Sequence, residues 1–382
     1  MNLKIFKIIL FLVLPFTGCI TQFIPETDET REMIVVEGLV TDQEGVSTIK
    51  LSKSMPLGKR ANAQPLKGCS VSITDDKGNY DQFHETAPGK YTTVEGQFKG
   101  VVGRRYTLNI QTNNATQRHF TYRSLPMEMK PVPPIDSVYY EKILLSEPIP
   151  HVPKKEACQI YLNTHDPQAK CKFFRWDYSE TWEIRLPFSV PVNKRCWISN
   201  NSSVINIKNT SGLAESRIDR YPIKYISGET DRLRDKYSLM IRQYSLNEDE
   251  FIYWEKLQSV TEEIGSLYDI TPASIPGNIF CVEDPGEKVL GYFSVSATSS
   301  KRIFVNDNFY GLVNPYSQCI TDTLNVPGNP TTIPSLNISV WILEQTYPPA
   351  PPLTVITIHK SCADCTTRGT LVKPDFWDEG KK

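Results

Sequence analysis

The sequence predicts a mostly β, exported protein of two domains held behind a lipid anchor. An N-terminal immunoglobulin-like sandwich is expected first, then a larger β-sandwich or barrel carrying one long amphipathic helix. Three observations carry this expectation. The chain starts with a secretory signal that ends in a cysteine. Short segments with period-two alternation recur between Gly and Asp turns. Only the stretch near residues 245–268 steps by three or four residues instead.

The signal is MNLKIFKIILFLVLPFTGC. Lys4 and Lys7 give it a basic start, and Ile8 to Phe16 is apolar, broken only by Pro15. That run is about half the ~20 residues a membrane span needs. Thr17-Gly18 before Cys19 forms a lipobox-like end. Residues 1–18 are therefore read as a lipoprotein signal peptide, with lipid on Cys19. Phe16 stands where Leu is usual, which leaves a cut by another signal peptidase as the competing expectation. Residues 19–32 form a polar tether carrying Glu26, Asp28 and Glu29.

Composition sets the class. A chain of 382 residues, at ~150 per domain, suggests two domains. Hydrophobic residues make up 40%, enough for substantial cores. Lys+Arg is 42 against Asp+Glu 43, a balance that gives no footprint for nucleic acid. With 28 Pro and 20 Gly among many Thr, Val, Ile and Tyr, the chain reads as β-rich.

Residues 33–126 form the first domain. MIVVEGLV ends at a turn around Asp42 to Gly45. CSVSIT alternates, with Cys69, Val71 and Ile73 on the inner face. RYTLNIQT alternates again, with Tyr106, Leu108 and Ile110 inward. Residues 127–136, MEMKPVPPID, read as a stiff Pro-rich linker. Residues 137–382 supply the larger β domain, with strand candidates that include CKFFRWDY, KYSLMIRQY and VLGYFSVSA. Ser245 and Glu248 have capping-box spacing. Phe251, Trp254, Leu257, Val260, Ile264 and Leu267 then form an amphipathic stripe that ends before Pro272.

No motif in the sequence names a reaction. Ser47 and Lys50 have Ser-x-x-Lys spacing but lie in a strand-like stretch, which turns them to opposite sides. His84-Glu85 does not extend to a zincin motif, because Pro88 stands where the second histidine belongs. Asp75, Asp76, Asn79 and Asp81 do not follow the twelve-residue calcium loop and read as a solvated turn. Cys362-x-x-Cys365 lacks the two further ligands of a zinc site. No catalytic residue, metal or cofactor is expected. The six Trp and 18 Tyr could stack on sugars, but in a β-sandwich most aromatics fill the core or edges, and the sequence does not separate the two uses. Nine cysteines less Cys19 leave an even number, so an oxidising compartment makes disulfides possible. Cys196, Cys281, Cys319, Cys362 and Cys365 are the candidates, with Cys362 or Cys365 expected in at least one bridge.

Trp176-Asp-Tyr-Ser-Glu-Thr-Trp182, Cys196-Trp197, Tyr237 to Tyr244, Gly277-Asn-Ile-Phe-Cys281, Gly291-Tyr-Phe293, Cys362-Ala-Asp-Cys365 and Lys373-Pro-Asp-Phe-Trp377 follow in that order. As a set they resemble the domain of unknown function 4249 family, exported lipoproteins of the Bacteroidota. The resemblance runs from Val35 to Trp377. Cys69 departs from it, standing where a small residue such as Ala is expected, which suggests an unpaired thiol. Val36 to Asp42 followed by Gly45 also resembles the carboxypeptidase-regulatory type of immunoglobulin-like module. The family resemblance implies an outer-membrane lipoprotein beside a TonB-dependent transporter, and it carries over no catalytic residues. The expected function is a non-enzymatic accessory or binding subunit of such a barrel. The alternative is a stand-alone carbohydrate- or peptide-binding protein at the surface, with a surface hydrolase third.

Overall fold

The computed structural model describes residues 32–54, 64–113, 119–145, 154–187, 193–263, 275–326, 340–345 and 353–379. The signal peptide, Cys19, nearly all of the tether, and Ile264 and Leu267 of the helical stripe lie outside the described residues. The protein is mostly β, as its alternation predicts.

The first sheet starts with β1 (Ile34–Thr41), β2 (Thr48–Lys53), β3 (Gln64–Pro65), β4 (Ser70–Asp75), β5 (Tyr80–Ala87), β6 (Lys90–Thr92), β7 (Arg105–Asn113), β8 (His119–Ser124) and β9 (Met127–Glu128). Val71, Ile73, Tyr106, Leu108 and Ile110 point inward as the alternation requires. The next strands are β10 (Ile135–Leu144), β11 (Glu156–Asp166), β12 (Phe173–Arg185), β13 (Arg195–Asn201), β14 (Asn206–Asn209), β15 (Ser216–Ile226) and β16 (Tyr237–Ser245). Helix α1 (Glu248–Glu263) follows, then β17 (Ile279–Cys281), β18 (Val289–Ser296) and β19 (Thr298–Val305). The chain ends in β20 (Thr321–Val326), β21 (Val340–Gln345), β22 (Leu353–His359), the single turn α2 (Lys360–Ala363) and a C-terminal strap.

The two domains are not consecutive along the chain. The first sheet has the order β17-β8-β7-β4-β5-β6-β2-β1-β18, so residues 279–296 return to complete it. VLGYFSVSA, expected in the second domain, is thus the parallel partner of β1, from Ile34 opposite Val289 to Thr41 opposite Ser296. Two glycines make this return possible. A Cβ on Gly291, at φ +88°, would lie 2.0 Å from the Val36 carbonyl oxygen. One on Gly277 would lie 1.8 Å from the Gly291 oxygen. Between the ends of the sheet, the Asn278 amide takes the place of a strand. Its Oδ1 accepts from the Phe293 N–H at 2.9 Å, and its Nδ2 donates to the Phe293 carbonyl at 2.8 Å. The sheet closes around Val36, Ile49, Phe83, Tyr91, Ile110 and Phe293.

The second core lies between the sheets β10-β11-β15 and β13-β12-β16-β19. Ile160, Leu162, Phe174, Trp176, Tyr237 and Leu239 fill it. The residues read as a stiff inter-domain linker, 127–136, are instead clamped between the cores. Gln243 Nε2 donates to the Pro133 carbonyl at 2.8 Å and to Thr164 Oγ1 at 3.0 Å, while its Oε1 accepts from Trp176 Nε1 at 2.8 Å. Ser245 Oγ donates to the Lys130 carbonyl at 2.7 Å, and Asn247 Nδ2 to that of Glu128 at 3.0 Å. Prolines remove donors but leave carbonyls, and those carbonyls need buried partners.

The same contact displaces the expected capping box. Ser245 ends β16 and its hydroxyl is engaged at Lys130, so the helix starts later, with the Phe251 N–H bonded to the Asn247 carbonyl at 2.9 Å. The helical stripe packs inward at its N-terminal end. Phe251 joins Phe173, Ile207, Tyr244 and Leu246, with Leu39 and Trp254 against them, in a small core shared by both domains.

Candidate functional site

Among the described residues, a polar cleft of about 500 Å3 lies at one end of the second domain. Its base is Glu183, near the end of β12 and only 4% exposed. Glu183 Oε1 accepts from Arg185 Nε and is ion-paired with Arg195 Nε at 2.9 Å, and Oε2 accepts from Trp377 Nε1 at 3.3 Å. Arg185 and Arg195 stand directly opposite each other on the paired strands β12 and β13. Like charges at such a position repel. Glu183 between them, and Asp235 Oδ1 at 3.4 Å from Arg185, offset that repulsion. Burial raises the Asp235 pKa above the ordinary carboxylate value, against the pull of Arg185. The Asn306–Asn308 loop forms the facing wall, where Lys142 lies 3.1 Å from Asp307 and keeps its carboxyl below the usual range.

The C-terminal strap closes the cleft. Cys365 is bonded to Cys196 on β13, and Cys362 to Cys319. The Cys-x-x-Cys pair is thus divided between two disulfides, which makes it a staple and not a redox couple. Trp197 and Thr370 exchange both backbone hydrogen bonds at 2.9 Å. Arg368 pairs with Asp231. Trp377 lies under the cleft, with the Lys236 ammonium bonded to its carbonyl and 4.1 Å from the Phe304 ring centroid.

The remaining cysteine candidate falls elsewhere. Cys281 is a buried thiol in the first domain, with its Sγ 3.7 Å from Glu283 Oε2, since β17 has left the second domain for the first sheet. Cys69, Cys158 and Cys171 are also free. Burial pushes the Cys158 and Cys171 thiols up to about 12, so they are inert packing groups. Asp75 is engaged by its own turn. It accepts from the Lys77 and Asn79 backbone N–H groups and from the Asn79 side chain, and it pairs with Arg104.

A second surface feature lies on the first domain. Leu125, Pro126 and the outward-facing Phe280 of end strand β17 form an apolar ledge. Leu125 is 52% and Phe280 42% exposed. Thr74, Thr107, Asn109 and Arg123 complete a shallow groove of about 450 Å3 beside it. The tryptophans whose side chains are described pack inside the protein or against it. Trp176, Trp182, Trp197 and Trp377 are all buried, and Trp254 is half-buried over Arg175.

Sequence reasoning did not find Glu183, Arg185, Arg195 or Asp235. β12 is buried at every position from Glu180 to Ile184, so no alternation marks the face on which Glu183 lies. Trp377 and the Cys196-Trp197 pair were visible as motifs, but their convergence at Glu183 was not.

Two interlocked β cores, a disulfide-held strap and a polar cleft define a mostly β protein. The chain belongs to the domain of unknown function family DUF4249, whose sequence profile matches residues 20–302. The strap and its cysteines 319, 362 and 365 lie beyond the matched span, so the resemblance out to Trp377 rests on the motifs alone. A comparison with curated proteins gave no match.

Proposed function

We propose that the protein is an outer-membrane lipoprotein of the Bacteroidota, anchored through Cys19. In this reading it works as a non-enzymatic binding subunit beside a TonB-dependent barrel. The observation that supports this reading best is the ledge of Leu125, Pro126 and Phe280 on an end strand of the first sheet. An exposed aromatic on an end strand, with a wet polar rim, is the usual makeup of a protein-docking surface. The ledge stands on the domain that directly follows the tether. A stable contact there has to bury more than ~1,000 Å2 in total.

The test is affinity purification of the lipidated full chain from gently solubilised native membranes. A barrel should co-purify. Leu125→Glu with Phe280→Glu should abolish co-purification and leave the melting temperature unchanged, because both side chains point outward. A solitary protein that turns over a glycan or peptide would overturn the reading in favour of an enzyme.

One observation favours the alternative of carbohydrate binding. On the outer face of β10-β11-β15, Tyr139 and Tyr161 stack at 5.6 Å, and Arg220, at φ +54°, is fixed over Tyr161 by a bidentate bond to Glu141. A strained, pinned arginine on an aromatic is a preorganised surface. Retardation of the protein in a polysaccharide gel, lost in Tyr139→Ala, would support that alternative.

A further inference from the structure

We propose that the strap-closed cleft binds short peptides by their free C-terminal carboxylate. This goes beyond the barrel-docking reading and uses a different surface. The argument starts from the two arginines at its base. Placing them opposite each other on adjacent strands is unfavourable for the sheet by itself. Glu183 is ion-paired with the Nε of both, and Asp235 with that of Arg185. Both side chains remain about half exposed, at 52% and 49%, and both line the cleft. The result is two guanidinium groups side by side, oriented from behind by a buried carboxylate. Paired planar forks match the two oxygens of a carboxylate better than any neutral group.

The rest of the cleft agrees with a peptide. Arg234 and Lys236 add positive charge beside the pair, and the lining as a whole has five cationic side chains against four carboxylates. The facing wall, Asn306 to Asn308, offers amides and a carboxylate that can pair with backbone N–H groups or an ammonium. A neutral sugar would desolvate the arginines with no counter-charge. A volume of about 500 Å3 lies in the range of sites that enclose a ligand of a few residues. The strap keeps this geometry fixed. Trp377 buttresses Glu183, and the Cys196–Cys365 bond ties the strap to the strand that carries Arg195. Glu183 and Trp377 are positioning residues, while Arg185 and Arg195 touch the ligand.

The probe is a random tetrapeptide library with free C-termini, compared with the same library amidated. Both are passed over the immobilised full-length lipoprotein in detergent and read by mass spectrometry. The free library should be retained at least ten times more strongly than the amidated one. Arg195→Gln should remove that difference. Arg195→Lys, which keeps the charge beside Glu183, should fold normally and still lose most of it, because the fork is gone. Lys77→Gln, on the exposed turn after β4 in the first domain and away from the cleft, should change little. Equal retention of both libraries, or retention of neither, overturns the proposal. Barrel co-purification scored on the same preparation keeps the two readings apart. A preparation that captures the barrel but ignores the carboxylate refutes only the cleft, and the converse refutes only the docking ledge.

Discussion

Replacing Asn278 by alanine should open the first sheet at a single seam. The side chain is 5% exposed and carries both backbone groups of Phe293, at 2.9 and 2.8 Å. Alanine cannot reach either, and Phe293 is wholly buried, so its N–H and C=O lose their partners without gaining water. Leaving one buried group unsatisfied costs about 1–3 kcal/mol, so two give a loss of about 2–6 kcal/mol. Asn278→Asp should be worse than alanine at neutral pH. It keeps the acceptor but loses the donor and buries a charge. Urea unfolding gives the free-energy loss, and hydrogen exchange at the Phe293 amide localises it to the seam. A loss below ~1 kcal/mol with unchanged protection at Phe293 would show that the amide does not close the sheet.

Gly291→Ala should destabilise more broadly, since it combines positive φ with a Cβ placed 2.0 Å from the Val36 oxygen, and should expose the β1–β18 pairing to proteolysis. For Asp75, burial alone would raise the pKa, but the Asn79, Arg104 and Lys77 hydrogen bonds outweigh it and hold the carboxyl at about 2. Its contribution to stability is therefore complete above the ordinary carboxylate value near ~4 and is lost as the pH falls from there to about 2. Melting temperatures across that window should converge for the wild type and Asp75→Asn, whereas a gap that persists at the acid end would contradict this. Alkylation of the denatured, unreduced protein should label the four thiols Cys69, Cys158, Cys171 and Cys281 and spare the two disulfides. Labelling of Cys196 or Cys365 before reduction would remove the strap from the account.

Local patterns in the sequence carry the sandwich strands well. Val71 and Ile73, and Tyr106 to Ile110, alternate because one face of each strand is buried. The return of β18 has no such local mark. Pairing Ile34 with Val289 depends on Gly277 and Gly291, whose need for close approach appears only when the backbones meet. The Pro-rich stretch 127–136 has the composition of a linker, yet Gln243 and Ser245, over a hundred residues away, fix it as part of the interior. Cysteine spacing likewise cannot show that Cys362 and Cys365 have different partners. The cleft was hidden for the same reason. It draws on β12, β13, the turn before β16, the loop after β19 and the strap, which share no sequence neighbourhood.

The docking claim is tested most directly by placing a photo-crosslinking residue at position 280 of the lipidated protein in intact cells. The same group at the outward-facing Tyr225, on the other domain, serves as the control. The account expects crosslinks from position 280 to one β-barrel partner, absent from position 225 and lost when Cys19→Ala releases the chain from the membrane. Crosslinks that are equal from both positions, or absent from position 280 while the protein remains anchored, would contradict it.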